Sequence, residues 1–185
     1  MNSEMVYKAL SCAMDKRKLI SVIYIKRTND YYHTGFVNSI TEASFTIEKV
    51  DEFGNVEGLY ELELDGIDEL VYNSPYLRGI ELIIENHVCI EKPDEKRIHV
   101  RKKIKDSLEK FVNSEEIVTL CFRQDMEYIG YVINVDTQFV EIHALDGDTG
   151  ESDGRVYVRL SSISSIIYAG PVEQKARYLH EHFMR

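Results

Sequence analysis

The stretch GRVYVRLSSISSIIYAGP, residues 154–171, repeats an earlier stretch, GLYELELDGIDELVYNSP, residues 58–75, at an offset of 96 residues. Both stretches begin with glycine, alternate apolar with other residues, and end with proline. Further matches lie upstream at an offset of 95 residues, and they include Gly35 with Gly130. The offset changes in the segment before residue 58, which indicates a hairpin loop, because loops tolerate insertions. The chain therefore contains one structural unit twice.

The alternation within each copy predicts strands that bury one face. It is carried by apolar residues two positions apart, namely Tyr60, Leu62 and Leu64 in the first copy and Val156, Val158 and Leu160 in the second. An i, i+3 step then follows in both copies, from Leu64 to Ile67 and from Leu160 to Ile163, and predicts a tight 3₁₀ turn between two strands. Gly35 and Gly130 stand early in the second strand of each copy, where glycine permits a sharp bend or a close backbone approach.

The same order of elements is predicted twice: a helix, five short strands and a second helix. After Pro75 the apolar residues fit a helix, although residues 80–90 also fit an alternating strand; the parallel segment after Pro171 favours the helix. In the second copy we expect strands at residues 117–122, 127–135, 139–145, 155–160 and 163–168. The predicted fold is mainly β with flanking helices, as two tandem five-stranded barrels in domains 1–91 and 92–185.

Composition favours a globular protein without a membrane anchor. Of the 185 residues, 44% are hydrophobic and 29% are charged, and the apolar runs are too short to span a bilayer. The N-terminal residues lack the pattern of a secretory signal, so a cytoplasmic location is expected. Cys12, Cys89 and Cys121 show no metal-binding spacing, and we expect buried or half-buried free thiols.

Charge is spread unevenly along the chain, which has a net charge of −10. Residues 42–69 contain ten acids and one base, whereas residues 96–110 contain seven bases and two acids. We interpret 96–110 as a basic connecting helix, which either binds a polyanion or docks on the acidic first copy. An acidic barrel is a poor candidate for a nucleic-acid backbone, and no DNA partner is expected.

The order of elements, with glycine early in strand two and a bent ending, resembles the Sm-like family of small SH3-like barrels, which includes the Sm and LSm proteins and bacterial Hfq. Similar proteins carry a glycine, an aspartate six residues later, an apolar residue and then an asparagine; Gly130, Asp136 and Phe139 match, while Val140 replaces the asparagine. An Arg-Gly pair of the family becomes Arg159 followed by leucine.

The resemblance implies barrels that associate edge to edge, with the fourth strand of one paired with the fifth of the next. The family holds RNA bases with the asparagine, arginine and glycine positions, which this chain has partly replaced, so the resemblance carries the fold further than the RNA function. A second resemblance, to the WYL domain, rests on residues 9–24, 64–67 and 160–163 and implies a ligand-sensing regulatory domain. The chain contains no tryptophan.

Other motifs favour structural roles. The loop at residues 146–154 has the wrong residues and context for a calcium-binding EF-hand. His180 and His182 point to different sides of a helix, and His143 lacks a sequence partner for a metal. Tyr31, Tyr32, Tyr128 and Tyr131 lie in the second strands, and packing is favoured over base stacking because no basic residues interleave with them. We expect no enzyme, cofactor, metal or catalytic residue.

Our first hypothesis is a non-enzymatic binding or assembly module that associates with protein, including itself, through barrel edges; three chains would make a closed ring of six barrels. The second is an RNA-binding protein, and the third a WYL-like sensor of a small ligand. The residues expected to contact nucleic acid in the second hypothesis are Arg101, Lys102, Lys103, Lys105, Asp136 and Arg159.

Overall fold

A computed structural model of the chain describes residues 4–24, 32–90, 96–99, 104–122 and 126–183. The chain divides into two compact units, residues 1–88 and 89–185. Each unit contains one antiparallel sheet with helices before and after most of its strands. The mainly β fold with flanking helices, predicted from the alternating pattern, is confirmed.

The first unit forms a five-stranded sheet in the order β4-β3-β2-β1-β5. Its elements are α1 (Glu4–Asp15), β1 (Leu19–Ile23), β2 (Tyr32–Ile40), β3 (Ser44–Val50), β4 (Val56–Glu63), β5 (Glu69–Tyr72) and α2 (Pro75–Glu85). The segment after Pro75 is therefore helical, and Ser74 caps it by accepting a hydrogen bond from the Leu77 amide. The buried core lies between α1 and the sheet, and includes Leu10, Ala13, Ile20, Val22, Phe45 and Ile47.

The second unit forms a six-stranded sheet in the order β10-β9-β8-β7-β11-β6. Its elements are β6 (Lys96–His99), α3 (Ile104–Leu108) with a 3₁₀ turn (Glu109–Phe111), β7 (Ile117–Phe122), β8 (Glu127–Val135), β9 (Phe139–Leu145), β10 (Ser152–Arg159), a 3₁₀ turn (Leu160–Ser162), β11 (Ile163–Tyr168) and α4 (Pro171–Phe183). Its core includes Leu108, Leu120, Val140, Ile142, Val158 and Ile166.

The predicted basic helix over residues 96–110 is wrong in its first part. Lys96–His99 instead forms strand β6, which pairs antiparallel with β11 and places Ile98 opposite Ile166. Ile98 packs against the core of the second unit, so this strand gains apolar contacts that a continuous helix from Lys96 would lose. The second sheet consequently has six strands, not the five predicted.

Among the described residues, both sheets are open, because no ladder joins their end strands, β4 and β5 in the first and β10 and β6 in the second. The hydrogen-bonded sheet order therefore does not establish the two predicted five-stranded barrels. The 3₁₀ turn predicted in both copies is present in the second, while residues 64–66 of the first copy form a bend and an ordinary turn. Gly66 adopts a positive φ of 95° in that turn.

Gly35 and Gly130 provide the close backbone approach expected from the sequence. A Cβ atom added to Gly35 would lie 2.2 Å from the carbonyl oxygen of Glu48, and one added to Gly130 would lie 2.0 Å from the carbonyl oxygen of His143. The neighbouring strand therefore crosses each glycine at a distance that no side chain permits. This feature is equivalent in the two units.

The final helix of each unit is anchored by a buried glutamate at a different position. Glu81 of α2 accepts hydrogen bonds from the Leu19 amide and from Lys18 Nζ. Glu173 of α4 accepts a short hydrogen bond from Thr119 Oγ1 and a second one, of 2.9 Å, from the Gly170 amide. Both carboxylates thus tie the helix to the first strand of the sheet or to the preceding turn.

Candidate functional site

Strand β4 is a long edge strand with exposed apolar side chains. It pairs with β3 on one side, and the sheet of the first unit ends at its other side. Three large apolar side chains of β4 are exposed: Val56 by 62%, Leu59 by 64% and Tyr60 by 38%. Exposed apolar side chains beside unpaired strand backbone are typical of a surface that binds another strand.

The alternation of β4 explains which side chains it exposes. Leu62 packs against the core of the first unit, so Leu59 and Glu61 point to the opposite face of the sheet. The register with β3 shifts at Glu57, between Val56 and Gly58, which forms a bulge at the start of the strand. The regular part of β4 therefore begins at Gly58.

Strand β4 is also acidic, with Glu57, Glu61 and Glu63 and no basic residue. Glu57 forms an ion pair with Lys49 at 3.0 Å, and Glu61 accepts a hydrogen bond from Ser44 Oγ at 2.7 Å. Acidic residues on an edge strand oppose pairing with a second acidic strand and permit pairing with a basic one.

Strand β10 is the equivalent edge of the second unit, and its charge is opposite. It pairs with β9, and the sheet ends at its other side. Tyr157 is 65% exposed, which makes it the most exposed large apolar residue on this strand. Arg155 donates a hydrogen bond to Glu141 at 2.7 Å, and the guanidinium of Arg159 lies 4.7 Å from the ring centre of Phe139.

The fifth-strand edges of the two units differ. In the first unit, β5 is a four-residue edge strand that pairs with β1. In the second unit, β6 covers the equivalent edge of β11, and Lys96 Nζ lies 5.8 Å from the ring centre of Tyr168. The edges that remain open in the described sheets are thus β4, β5, β6 and β10.

The residues predicted to contact nucleic acid are only partly described. Arg101, Lys102 and Lys103 lie outside the described residues. Asp136 and Arg159 lie at the same end of the second sheet, because Arg159 pairs with Phe139 and Asp136 caps the turn that leads to Phe139. Lys105 is close enough for its charge to act on Asp136.

Asp136 uses its carboxylate within its own turn. Its Oδ1 accepts hydrogen bonds of 2.6 Å from the backbone amides of Gln138 and Phe139, and these bonds lower the pKa of the carboxyl. Asp146 has the same role in the loop that resembles a calcium site, where its Oδ1 accepts bonds from Asp148 and Thr149. These loops follow the local Asx-turn pattern.

A cluster of rings joins α4 to the second sheet. His143 and His180 have ring centres 5.7 Å apart, and Tyr131 lies 6.4 Å from His143 and 5.9 Å from His180. Burial and the neighbouring His180 and Arg155 lower the pKa of His143. In the described part of the chain, no group of three or more His, Cys, Asp or Glu side chains is placed to hold a metal ion.

Sequence analysis expected open edges at the fourth and fifth strands of each unit; the structure places β4, β5 and β10 at sheet edges, whereas β11 is covered by β6. The exposed side chains on these edges were not predicted. Side chains alternate along a strand, so Leu59 and Tyr157 lie on the face opposite the core. This alternation in the sequence could have predicted their exposure. Sequence analysis also failed to predict strand β6, because a four-residue strand with two basic residues lacks a long alternating pattern. Cys89, expected to be buried or half-buried, is exposed.

Comparison with known proteins does not assign the chain to a family. No protein-family model matches the chain, and no curated protein matches it. Within the described ranges, none of the helices has both the length and the apolar character needed to cross a membrane.

Proposed function

We propose that this chain is a non-enzymatic protein-interaction module that associates through the open edge strands β4 and β10. The observation that carries the proposal is the exposure of Leu59 on β4 and Tyr157 on β10, at the two sheet edges with the longest open strands. An eight-residue strand offers backbone hydrogen-bond groups, and the apolar side chains add contact area when water is excluded.

The finer part of the proposal is that each unit is an Sm-like barrel. Its support is the repeated order of helix, five strands and helix, together with the close backbone approach at Gly35 and Gly130. Family members associate by pairing a fourth strand with a fifth strand. Here β6 lies on the fifth-strand edge of the second unit, so a ring of six barrels would require β6 to move away.

Mass measurement by light scattering tests the proposed function. We expect the purified chain to exceed the monomer mass at micromolar concentration, or to bind a partner protein through the same edges. Leu59→Lys and Tyr157→Lys should weaken this association, because each places a charge where an apolar contact is expected. Met5→Lys is the matched control, because Met5 is an exposed apolar residue on α1 and distant in sequence from both edges.

Association that is unchanged by both edge variants would contradict the proposal. So would a monomer that persists at every concentration and binds no protein. Loss of folding is checked by the circular dichroism of each variant, since exposed positions usually tolerate substitution.

A second candidate function, RNA binding, is favoured by the position of Lys105 and Arg159 around Asp136 at one end of the second unit. Its test is RNA retention at low salt, with affinity that falls steeply as salt rises. Lys105→Glu should weaken binding, whereas Lys8→Glu on α1 should not. A purified protein that retains no RNA at low salt would exclude this function.

A further inference from the structure

We infer that the partner of β4 is β10 of a second copy of this chain, and that the pairing is antiparallel and reciprocal. This inference rests on the proposed function, because it names the partner of the same edges. The two strands occupy equivalent places in the duplicated units, each at the edge beside the third strand of its sheet. Each chain therefore carries one edge of each kind.

Charge complementarity selects this pairing. Strand β4 carries three glutamates and no base, whereas β10 carries Arg155 and Arg159 against one acid, Asp153. Two copies of β4 would place glutamates against glutamates, and two copies of β10 would place arginines against arginines. Like charges directly opposite each other destabilise a strand pair, so the mixed pairing is preferred.

The exposed apolar residues fix the register. Setting Leu59 opposite Tyr157 joins the most exposed apolar residue of each edge strand. The antiparallel rule then places Glu61 opposite Arg155, on the same face of the combined sheet. On the core-facing side the same register sets Tyr60 opposite Val156. Each of these pairs joins side chains of matching chemistry.

The bulges lie outside this central ladder. Glu57 in β4 and Asp153 in β10 are the residues at which the two registers shift, so Gly58–Glu63 and Gly154–Arg159 are regular. Just beyond this ladder the bulged Asp153 would come near Glu63, and both side chains are acidic. Asp153→Lys should therefore strengthen the association.

Reciprocal pairing closes the assembly as a dimer. In a dimer with two-fold symmetry, the contact of β4 of one copy with β10 of the second is repeated between β4 of the second copy and β10 of the first. Both edges are then satisfied, and the Glu61–Arg155 pair occurs twice. This arrangement leaves β6 on β11, in contrast to a ring built from fourth and fifth strands.

Charge exchange between two variants tests the partner assignment. Glu61→Lys alone should weaken the dimer by about tenfold, because it makes two opposite-charge pairs repulsive. Arg155→Glu alone should weaken it at least as much, because it also replaces the ion pair of Arg155 with Glu141 by a repulsive contact. An equimolar mixture should recover the dimer, since each mixed contact again joins opposite charges. Recovery also demonstrates that both variants are folded. Asp15→Lys and Lys110→Glu, at exposed positions outside the edge strands and the loops that lead into them, are the matched charge controls and should leave the dimer intact.

Disulfide formation between two single-cysteine variants tests the register. In a background with Cys12, Cys89 and Cys121 all replaced by serine, Leu59→Cys mixed with Tyr157→Cys should give a crosslinked dimer, whereas Leu59→Cys mixed with Met126→Cys should not. Both test positions are exposed, so the substitutions leave the core unchanged.

The outcomes distinguish an error in the β4–β10 pairing from an error in the proposed function. A dimer that persists in both charge variants and forms no crosslink overturns the β4–β10 pairing and leaves edge association intact. Rescue of Glu61→Lys by Lys96→Glu with Arg97→Glu, and not by Arg155→Glu, overturns it in favour of β6. A wild-type chain that stays monomeric overturns the pairing together with self-association through these edges.

Discussion

The loop before the fourth strand packs against the last helix in both units, but the two contacts differ in chemistry. In the first unit, a Cβ on Gly54 would lie 2.9 Å from Cγ1 of Ile84, so the loop meets an apolar side chain. In the second unit, Gly150 lies against the backbone of His180 and accepts a hydrogen bond of 2.9 Å from His180 Nδ1. The equivalent loop therefore meets its helix through an apolar side chain in the first unit, and through the helix backbone and a histidine hydrogen bond in the second.

The second loop is tied to its helix by an ion pair as well. Lys175 of α4 is buried, and its Nζ lies 2.8 Å from Asp148 Oδ1. The edge strands differ in the same sense, since β4 is acidic and β10 carries two arginines. The two units therefore share the positions of their backbones, whereas the side chains at equivalent positions differ in polarity and charge. Such differences allow equivalent surfaces of the two units to carry complementary charges.

The largest expected effect tests what the two units share. Gly35→Ala and Gly130→Ala each force a Cβ atom against a backbone carbonyl, which only a shift of the neighbouring strand can relieve. We expect each substitution to cost more than about 4 kcal/mol or to prevent folding of its unit. Amide hydrogen exchange of the two sheets gives the local stability of each unit. A tolerated alanine at either position would show that the close approach is not required.

The next largest effect should differ between the two units, at the equivalent glycines Gly54 and Gly150. Gly150→Ala adds a Cβ 2.4 Å from the backbone nitrogen of His180 at a positive φ of 72°, and we expect a loss of about 3 kcal/mol. Gly54 also has a positive φ, of 80°, but an added Cβ meets Cγ1 of Ile84 and no backbone atom, so Gly54→Ala should cost less, about 2 kcal/mol. Chemical denaturation of each variant measures the difference. Equal losses would contradict the proposed difference between the two contacts.

Glu81 and the equivalent residue of α4, Arg177, form a third comparison. Glu81→Gln removes the charge that holds Lys18 and Arg78, and should cost about 2–3 kcal/mol. Arg177 is half-exposed, so Arg177→Gln should cost less than about 1 kcal/mol. Thermal unfolding of both variants tests this order.

The pH dependence of Glu81 follows from its contacts. Burial acts to raise the pKa of Glu81, but hydrogen bonds from Lys18, Leu19 and Arg78 outweigh burial and lower it below its ordinary value. The stabilisation is therefore present above the ordinary carboxyl pKa and is lost as pH falls through the lower, folded-state pKa. Glu81→Gln should abolish this part of the acid dependence.

The smallest effect concerns His143. The folded state lowers its pKa, so the unfolded chain binds more protons in this range. The neutral ring is therefore favoured above the ordinary histidine pKa, and its contribution is lost as pH falls through the folded-state value. His180, Arg155, Tyr131 and Ser152 surround the ring. His143→Gln should flatten the dependence by less than about 1 kcal/mol, because the ring is only half-buried; an unchanged pH profile of denaturation would contradict this.

Most strands and helices could be predicted from the sequence, because the spacing of apolar residues reflects which side chains an element buries. Strands β7, β8, β9 and β11 have the predicted bounds, and the helix after Pro75 follows from its proline and apolar spacing. β6 could not be predicted, because its place depends on the partner strand β11 and not on its own four residues.

The candidate site was predictable only in outline. Open edges followed from the expected fold, but the proposed pairing of Leu59 with Tyr157 rests on which side chains the sheets leave exposed. The position of Arg159 at the Asp136 turn likewise requires the register of β9 with β10. The basic residues at 101–103 lie outside the described residues, so their part in nucleic-acid binding stays a prediction.

Amide hydrogen exchange of the full chain, measured over a range of protein concentrations, tests the central claim most directly. We predict that exchange slows in β4 and β10 together as concentration rises, while β5 keeps its rate. Rates in β4 and β10 that do not change across the range in which the mass increases would contradict the assignment of these two strands as the interaction surface.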